Sequence, residues 1–307
     1  MNLSVEIAGV KFKNPVIAAS GTFGFGREFG EYIDLAKLGG ICSKGLTLKK
    51  NLGNKGIRIY ETPAGIMNSI GLQNPGIDYF VDIELPYLLE QDTVAIANLG
   101  GHSVEEYVLG AEILEETDVP MIELNISCPN VKEGGMAFGT DPDKAKEVIS
   151  KVRKVTKKPL IVKLSPNVGS IPLFAKISED SGADAISLVN TFNAMAIDIR
   201  AKAPVFVNKT AGLSGPAIKP IALRMVYEAA HSVDIPVIGM GGIMNYKDAL
   251  EFIMAGASAI QVGTANFIDY NTMIDINKGI EKYLEEENIS SLSEIIGIIY
   301  EKPWIEH

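Results

Sequence analysis

The segment Asn125-Ile126-Ser127-Cys128-Pro129-Asn130 sets a thiol just beyond a short apolar run, ahead of the glycine pair in Glu133-Gly134-Gly135. An ordinary thiol has a pKa of about 8.5, so modest stabilisation of its thiolate suits it to take a proton near neutral pH. Buried cysteines are usually inert packing, and Cys42, inside an apolar run, reads that way. Cys128 stands in different company. Ser20, Lys44, Asn98, Asn125, Lys163, Asn190, Gly241-Gly242 and Gly263-Thr264 occupy the ends of the other apolar runs. A solvent rim accepts any polar residue, whereas this set brings two cations, three amides and two stretches of bare backbone N–H to one mouth. The stretches Gly239-Met240-Gly241-Gly242 and Val262-Gly263-Thr264 suit tight turns, and equally suit the approach of an anion such as phosphate to backbone N–H groups. The neighbouring Lys44 and Lys163 favour the anion.

Such residues must be held by elements that all end on one side. Eight β-rich runs are marked by composition: Pro15 to Ser20, Gly40 to Lys44, Val94 to Asn98, Met121 to Asn125, Leu160 to Leu164, Ala185 to Asn190, Pro236 to Met240 and Ala259 to Gly263. They alternate with amphipathic helical stretches, the pattern of a parallel sheet, and eight units fit closure into a (β/α)8 TIM barrel of the α/β class. Helix starts are legible where Ser103 precedes Glu106 as a capping box, where Asp141 precedes Pro142, and where Asn245 precedes Asp248. The stretch Glu105 to Thr117 places Val108, Ala111, Ile113 and Leu114 broadly on one face. Long loops follow strands at Gly45 to Pro75, Cys128 to Thr140 and Thr191 to Pro216. In a parallel barrel they emerge at the C-terminal face, where such folds place their chemistry. Val5 to Lys13, turning at Ala8-Gly9, reads as a short N-terminal hairpin under the barrel. The expectation is a single domain over residues 1–307.

Composition narrows the function. Acidic residues outnumber basic ones, 38 to 28, and the net charge of -10 repels nucleic acid and anionic lipid. The apolar runs are strand-sized, so no membrane span is expected, and the acidic, alternating start lacks the order of a signal peptide, which makes the cytoplasm the expected compartment. Two cysteines are too few for an iron–sulfur cluster, and His102, His231 and His307 lack ligand spacing, so no metal site is expected. Gly24-Phe25-Gly26-Arg27-Glu28-Phe29 falls short of a dinucleotide fingerprint because Phe29 stands where a third glycine belongs, and it reads as a loop.

Taken together, Ala19-Ser20-Gly21-Thr22, Ser43-Lys44-Gly45, Asn68-Ser69-Ile70-Gly71-Leu72-Gln73-Asn74, Asn125 to Asn130, Lys163, Asn190-Thr191, Gly241-Gly242 and Gly263-Thr264 resemble the dihydroorotate dehydrogenase family over nearly the whole chain. The resemblance implies an FMN-containing barrel, one FMN per chain, that oxidises (S)-dihydroorotate to orotate in pyrimidine synthesis. It implies that Ser20, Lys44, Gly45, Asn98, Asn125, Lys163, Val189, Gly215, Gly241, Gly242, Gly263 and Thr264 hold FMN. Lys44, Asn68, Ser69, Ile70, Gly71, Leu72, Asn125, Asn190 and Thr191 would hold the substrate, with Cys128 as the base.

A cysteine base is similar to the soluble class 1 enzymes, since class 2 uses serine and carries a membrane-binding extension. Gly71-Leu72-Gln73-Asn74-Pro75 resembles the NAD-linked class 1B, because the fumarate-linked class 1A commonly has proline in place of the glutamine. Class 1B implies a partner subunit bearing FAD and a [2Fe–2S] cluster, and a heterotetramer built on a homodimer of catalytic chains. The cysteine count and the missing dinucleotide fingerprint agree with electrons leaving through another chain. The rivals are a class 1A enzyme, another FMN barrel such as a tRNA dihydrouridine synthase, a phosphate-binding barrel lyase or isomerase without flavin, and a flavin-binding scaffold subunit without catalysis. The acidic balance weighs against tRNA.

Overall fold

The computed structural model describes residues 1–127 and 138–300. In chain order its strands are β1 (Val5–Ile7), β2 (Val10–Phe12), β3 (Val16–Ala18), β4 (Gly40–Cys42), β5 (Ile59–Thr62), β6 (Gly65–Asn68), β7 (Val94–Leu99), β8 (Met121–Asn125), β9 (Leu160–Lys163), β10 (Ala185–Leu188), β11 (Phe192–Met195), β12 (Ile197–Asp198), β13 (Ala203–Pro204), β14 (Thr210–Ser214), β15 (Val237–Met240) and β16 (Ala259–Val262). Eight of them, β10-β15-β16-β3-β4-β7-β8-β9, close a parallel barrel. Each overlaps one of the eight runs marked in the sequence. The barrel strands are short and rich in Val, Ile, Leu and Ala, and β3, β4, β8, β9, β10, β15 and β16 are buried along their whole length. That is what a sheet covered on its outer face by helices and filled on its inner face by side chains requires.

The helices show why they form where they do. Pro142–Val155 starts at Asp141, whose carboxylate accepts from the N–H groups of Asp143 and Lys144, and it buries Ala145, Val148, Ile149 and Val152 at helical spacing. The Arg153 guanidinium in its last turn reaches Asp184 at 2.7 Å, tying this helix to the start of β10. Val104–Glu115 departs from its expectation in two ways. Its buried stripe is Val104, Tyr107, Gly110, Ala111 and Leu114, while Val108 and Ile113 are only half-buried, because packing against β7 and the next helix selects a face rotated from the one expected. Ser103 accepts from the Glu106 N–H as expected, but the Glu106 carboxylate turns to the N–H of His102, so the capping box is replaced by a cap one residue wider.

Strands β1 and β2 pair antiparallel, turning at Ala8-Gly9, and bury Ile7 and Phe12. The Phe12 ring lies against Gly40 at the start of β4, which puts the hairpin under the N-terminal end of the barrel. At the opposite end the long connections carry more order than their sequence announces. Strands β5 and β6 from the first and β11 and β14 from the third make one antiparallel sheet, ordered β11-β14-β6-β5, with Met67, Phe206 and Ala211 forming a small core of their own. Gly24 to Gly26 is a loop, as expected, whereas Arg27 to Phe29 belong to the single helical turn Arg27–Gly30. Among the described residues no helix is long and apolar enough to cross a membrane, and no group of acidic, histidine or cysteine side chains could hold a metal ion.

Candidate active site

A cavity of ≈ 290 Å³, the size of a site for a small organic ligand, opens at the C-terminal mouth of the barrel under the β11-β14-β6-β5 sheet. The structure brings Ser20, Lys44, Gly45, Asn125, Lys163, Val189, Gly215, Gly241, Gly242, Gly263 and Thr264 to its lining, with Asn68, Ser69, Ile70, Gly71, Leu72, Asn190 and Thr191. These residues come from seven of the barrel strand ends and from the first and third long connections. Asn98 is the exception. It is fully buried one layer below, where its amide nitrogen donates to Glu123 at 2.6 Å. Cys128, with Pro129, Asn130 and the stretch to 137, lies outside the described residues.

The wall contributed by the first long loop is positioned by the paired strands. Asn68 faces Gly212 across β6 and β14 and donates to the Gly212 carbonyl at 3.3 Å. Asn54 donates to the Ser69 carbonyl and hydroxyl, and the Arg58 guanidinium reaches Gln73 at 2.6 Å while also holding the carbonyls of Leu52 and Asn54. Gln73, the residue that separated the two subclasses in the sequence, thus lines the cavity and anchors its own loop through a contact that proline lacks. Lys44 is half-buried here and has no ion pair among the described residues. Burial holds its pKa below the ordinary lysine value; Glu28 opposes that shift and Arg58 adds to it.

The floor is a different environment. Lys163, only 4% exposed, pairs with Glu123 at 3.3 Å, and Glu123 is completely buried. The same carboxylate accepts from Gln261 at 2.6 Å, from Asn98 at 2.6 Å, from the Ser187 hydroxyl at 2.9 Å and from the Cys42 thiol at 3.2 Å. Five strands, β4, β7, β9, β10 and β16, converge on one side chain of β8. Burial alone raises a carboxyl pKa, but the Lys163 charge and the hydrogen bonds outweigh it, so Glu123 sits below the ordinary glutamate range and stays ionised. Burial and the adjacent Glu123 charge push the Cys42 thiol well up, so Cys42 is unreactive, as its position in an apolar run implies, yet it serves as a donor rather than as inert filling.

From this floor a line of amides climbs to the cavity. Asn125 donates to the Asn98 amide oxygen at 3.5 Å, while its own oxygen accepts from the Ser127 hydroxyl at 2.7 Å and from Asn190 at 3.4 Å. Asn190 also donates to Ser127, and its amide oxygen accepts from the Thr191 N–H. The buried Tyr107 hydroxyl donates to the Asn125 carbonyl at 2.8 Å and so fixes the end of β8.

At the far side, Thr264 donates to the Ser214 hydroxyl at 2.9 Å, joining the end of β16 to β14. Gly242 has φ +78°, and a Cβ there would meet the Gly215 carbonyl at 2.8 Å and the Lys219 backbone at 2.9 Å, so only glycine lets these three segments meet.

Glu123, Ser187, Gln261 and Tyr107 were not among the expected site residues. Their signal was present: Glu123, Ser187 and Gln261 are polar residues inside runs otherwise apolar, and Tyr107 lies on the helix stripe three residues from Val104. In a strand, polar residues at inward positions mark the barrel interior, whereas a reading confined to strand ends passes over them.

An eight-stranded parallel barrel with its cations, amides and glycine turns gathered around a cavity at one mouth defines a TIM-barrel protein. More particularly, the chain belongs to the dihydroorotate dehydrogenase family, whose profile matches residues 2–284. A protein of Petrotoga mobilis named dihydroorotate dehydrogenase B (NAD(+)), catalytic subunit, is 64% identical over 97% of this chain and 100% of its own length. Proteins of the same name from Thermoanaerobacter pseudethanolicus and Bacteroides thetaiotaomicron are 57% and 55% identical, covering 97% of this chain and 98% and 99% of their own lengths.

Proposed function

We propose that this chain oxidises (S)-dihydroorotate to orotate as the FMN-bearing catalytic subunit of an NAD-linked dihydroorotate dehydrogenase in pyrimidine synthesis. The observation that carries this reading is the convergence of Lys44, Lys163, Asn125 and Asn190 with glycine turns on one cavity, in a chain 64% identical to a protein bearing that name.

The residues present fit FMN. The Gln261 amide oxygen is buried in the floor with no donor among the described residues, so it is left for an N–H group of a ligand. A Cβ built on Gly21 meets nothing within 4 Å, so the wall there is open to a close-lying ring or chain. Gly241, Gly242, Gly263 and Thr264 would take the phosphate through backbone N–H groups. Ser20, Gly45, Val189 and Gly215 would flank the rest of the cofactor, and Lys163 its pyrimidine end, with Asn98 acting from below.

When bound, FMN supplies a two-electron acceptor for the hydride at C6 of dihydroorotate. Cys128 would take the C5 proton, so that the C5–H pair becomes the second bond of C5=C6 in orotate while the C6–H pair leaves with its hydrogen as the hydride. Lys44 would pair with the substrate carboxylate, and the run Asn68 to Leu72 with Asn125, Asn190 and Thr191 would hold the amide edges of the ring and keep it aligned. Electrons would pass to a partner subunit carrying FAD and a [2Fe–2S] cluster and on to NAD+, within a cytoplasmic heterotetramer built on a homodimer of this chain.

An absorbance spectrum of the purified chain before and after anaerobic addition of dihydroorotate tests the reading: a flavin spectrum that bleaches is expected, and a colourless protein overturns it. Cys128→Ala should stay yellow and bleach about 100-fold or more slowly near neutral pH. Rapid bleaching in that variant removes Cys128 from its assigned role, and efficient NAD+ reduction by the chain alone removes the partner.

A further inference from the structure

Glu123 does not line the cavity and is wholly inaccessible, yet it contacts groups that reach both of its sides. An ionised carboxylate only accepts hydrogen bonds, so every amide that touches it must turn its NH2 inward and its carbonyl away. At Gln261 this leaves the amide oxygen without a protein donor in the cavity floor. At Asn98 it aims the oxygen at the Asn125 nitrogen, which in turn leaves the Asn125 oxygen to receive Ser127 and Asn190. The direction of the whole line of amides, from the buried layer to the cavity-lining Asn190, follows from one acceptor-only group at its base. The same group holds the Lys163 ammonium at 3.3 Å and offsets its charge.

We propose that Glu123 is a positioning residue for the reaction: through Lys163 and Gln261 it sets the charge and the acceptor presented to the flavin, and through Asn98 and Asn125 it sets the amide orientation presented to the pyrimidine. This rests on reading the cavity as the FMN and dihydroorotate site.

Glu123→Gln is close to the same shape, but its NH2 group confronts donors that have no acceptor to meet, so at least one neighbouring amide must turn over. It also leaves the Lys163 charge less compensated, which favours the negatively charged reduced flavin. In the full FMN-loaded chain, the midpoint potential of the flavin should therefore move to more positive values. The dissociation constant for orotate, read from its perturbation of the flavin spectrum, should rise about tenfold or more, as expected when a buried polar contact is mispaired. Asn98→Ala separates the two arms, since it cuts the line of amides but leaves the Glu123–Lys163 pair: orotate affinity should fall with a smaller shift in potential.

A folded Glu123→Gln protein with the wild-type potential and wild-type orotate affinity overturns the proposal. If Glu123→Gln does not fold, wild-type orotate affinity in Asn98→Ala overturns the substrate arm. A wild-type chain that holds no FMN and takes no orotate overturns the underlying reading instead, so the two failures are distinguishable.

Discussion

The two lysines of the cavity have the same chemistry and opposite surroundings. Lys163 stands at the end of a barrel strand, 4% exposed, with Glu123 opposite it and a closed set of hydrogen bonds around that carboxylate. Lys44 stands on the wall, half-buried, and no carboxylate pairs with it among the described residues. A buried charge is tolerable only when paired, whereas a charge at a mouth can wait for a ligand to complete it. The floor is thus completed by folding, whereas the wall keeps a cation that folding leaves without a counter-charge among the described residues. In barrel proteins that division is natural, since the strands are rigid and the long connections carry the contacts that vary.

The sharpest way to break this comparison is to remove each lysine in turn. Lys163→Met leaves Glu123 buried without its counter-charge and should destabilise the chain by about 3–5 kcal/mol, read as a lowered thermal or denaturant midpoint. A loss under about 1 kcal/mol would mean the floor is not built as an ion pair. Lys44→Met should leave stability nearly unchanged and weaken orotate binding by about 10- to 100-fold, the value of one charge-assisted contact.

The pH dependence sharpens the same contrast. Burial, reinforced by Arg58 and opposed by Glu28, lowers the Lys44 pKa, so between that value and the ordinary lysine value the unfolded chain binds more protons than the folded one. Across that window the ligand-free chain gains stability as pH rises, while orotate affinity falls because the ammonium is being lost. A titration of orotate binding against pH should show the decline beginning below the ordinary lysine range, and Lys44→Met should abolish it. Smallest of all is Ser187→Ala, which deletes one donor to Glu123 and should cost about 1 kcal/mol in a denaturation experiment with FMN retained.

Several levels of the molecule were open to reading from its residues. The barrel was legible because a strand buried on both faces must be apolar and must end in a turn, so each of the eight runs marks itself. The cavity residues were legible because strand ends in a parallel barrel share one face, which is why Lys44, Asn125, Lys163 and Asn190 could be grouped before their positions were known. The sheet over the mouth was not, because β5, β6, β11 and β14 are short and half-exposed, and the two local pairs β5-β6 and β11-β14 become one sheet only where β6 meets β14 across a separation of more than a hundred residues, as at Asn68 and Gly212. Local composition does not carry such a pairing. The rotated face of Val104–Glu115 was lost for a related reason: neighbouring helical faces differ little in hydrophobicity until a partner chooses one.

What the amino-acid sequence determined by itself was therefore the class of fold, the end of the barrel that holds the site, the family resemblance and the kinds of group available there. What only the tertiary structure decided was which groups meet. Cys42, Asn98, Glu123, Lys163, Ser187 and Gln261 are scattered over more than two hundred residues and look like isolated polar interruptions. They become one charged, hydrogen-bonded centre because barrel closure turns alternate side chains of different strands toward a common axis, and because a carboxylate placed there must collect every donor within reach or lose its charge.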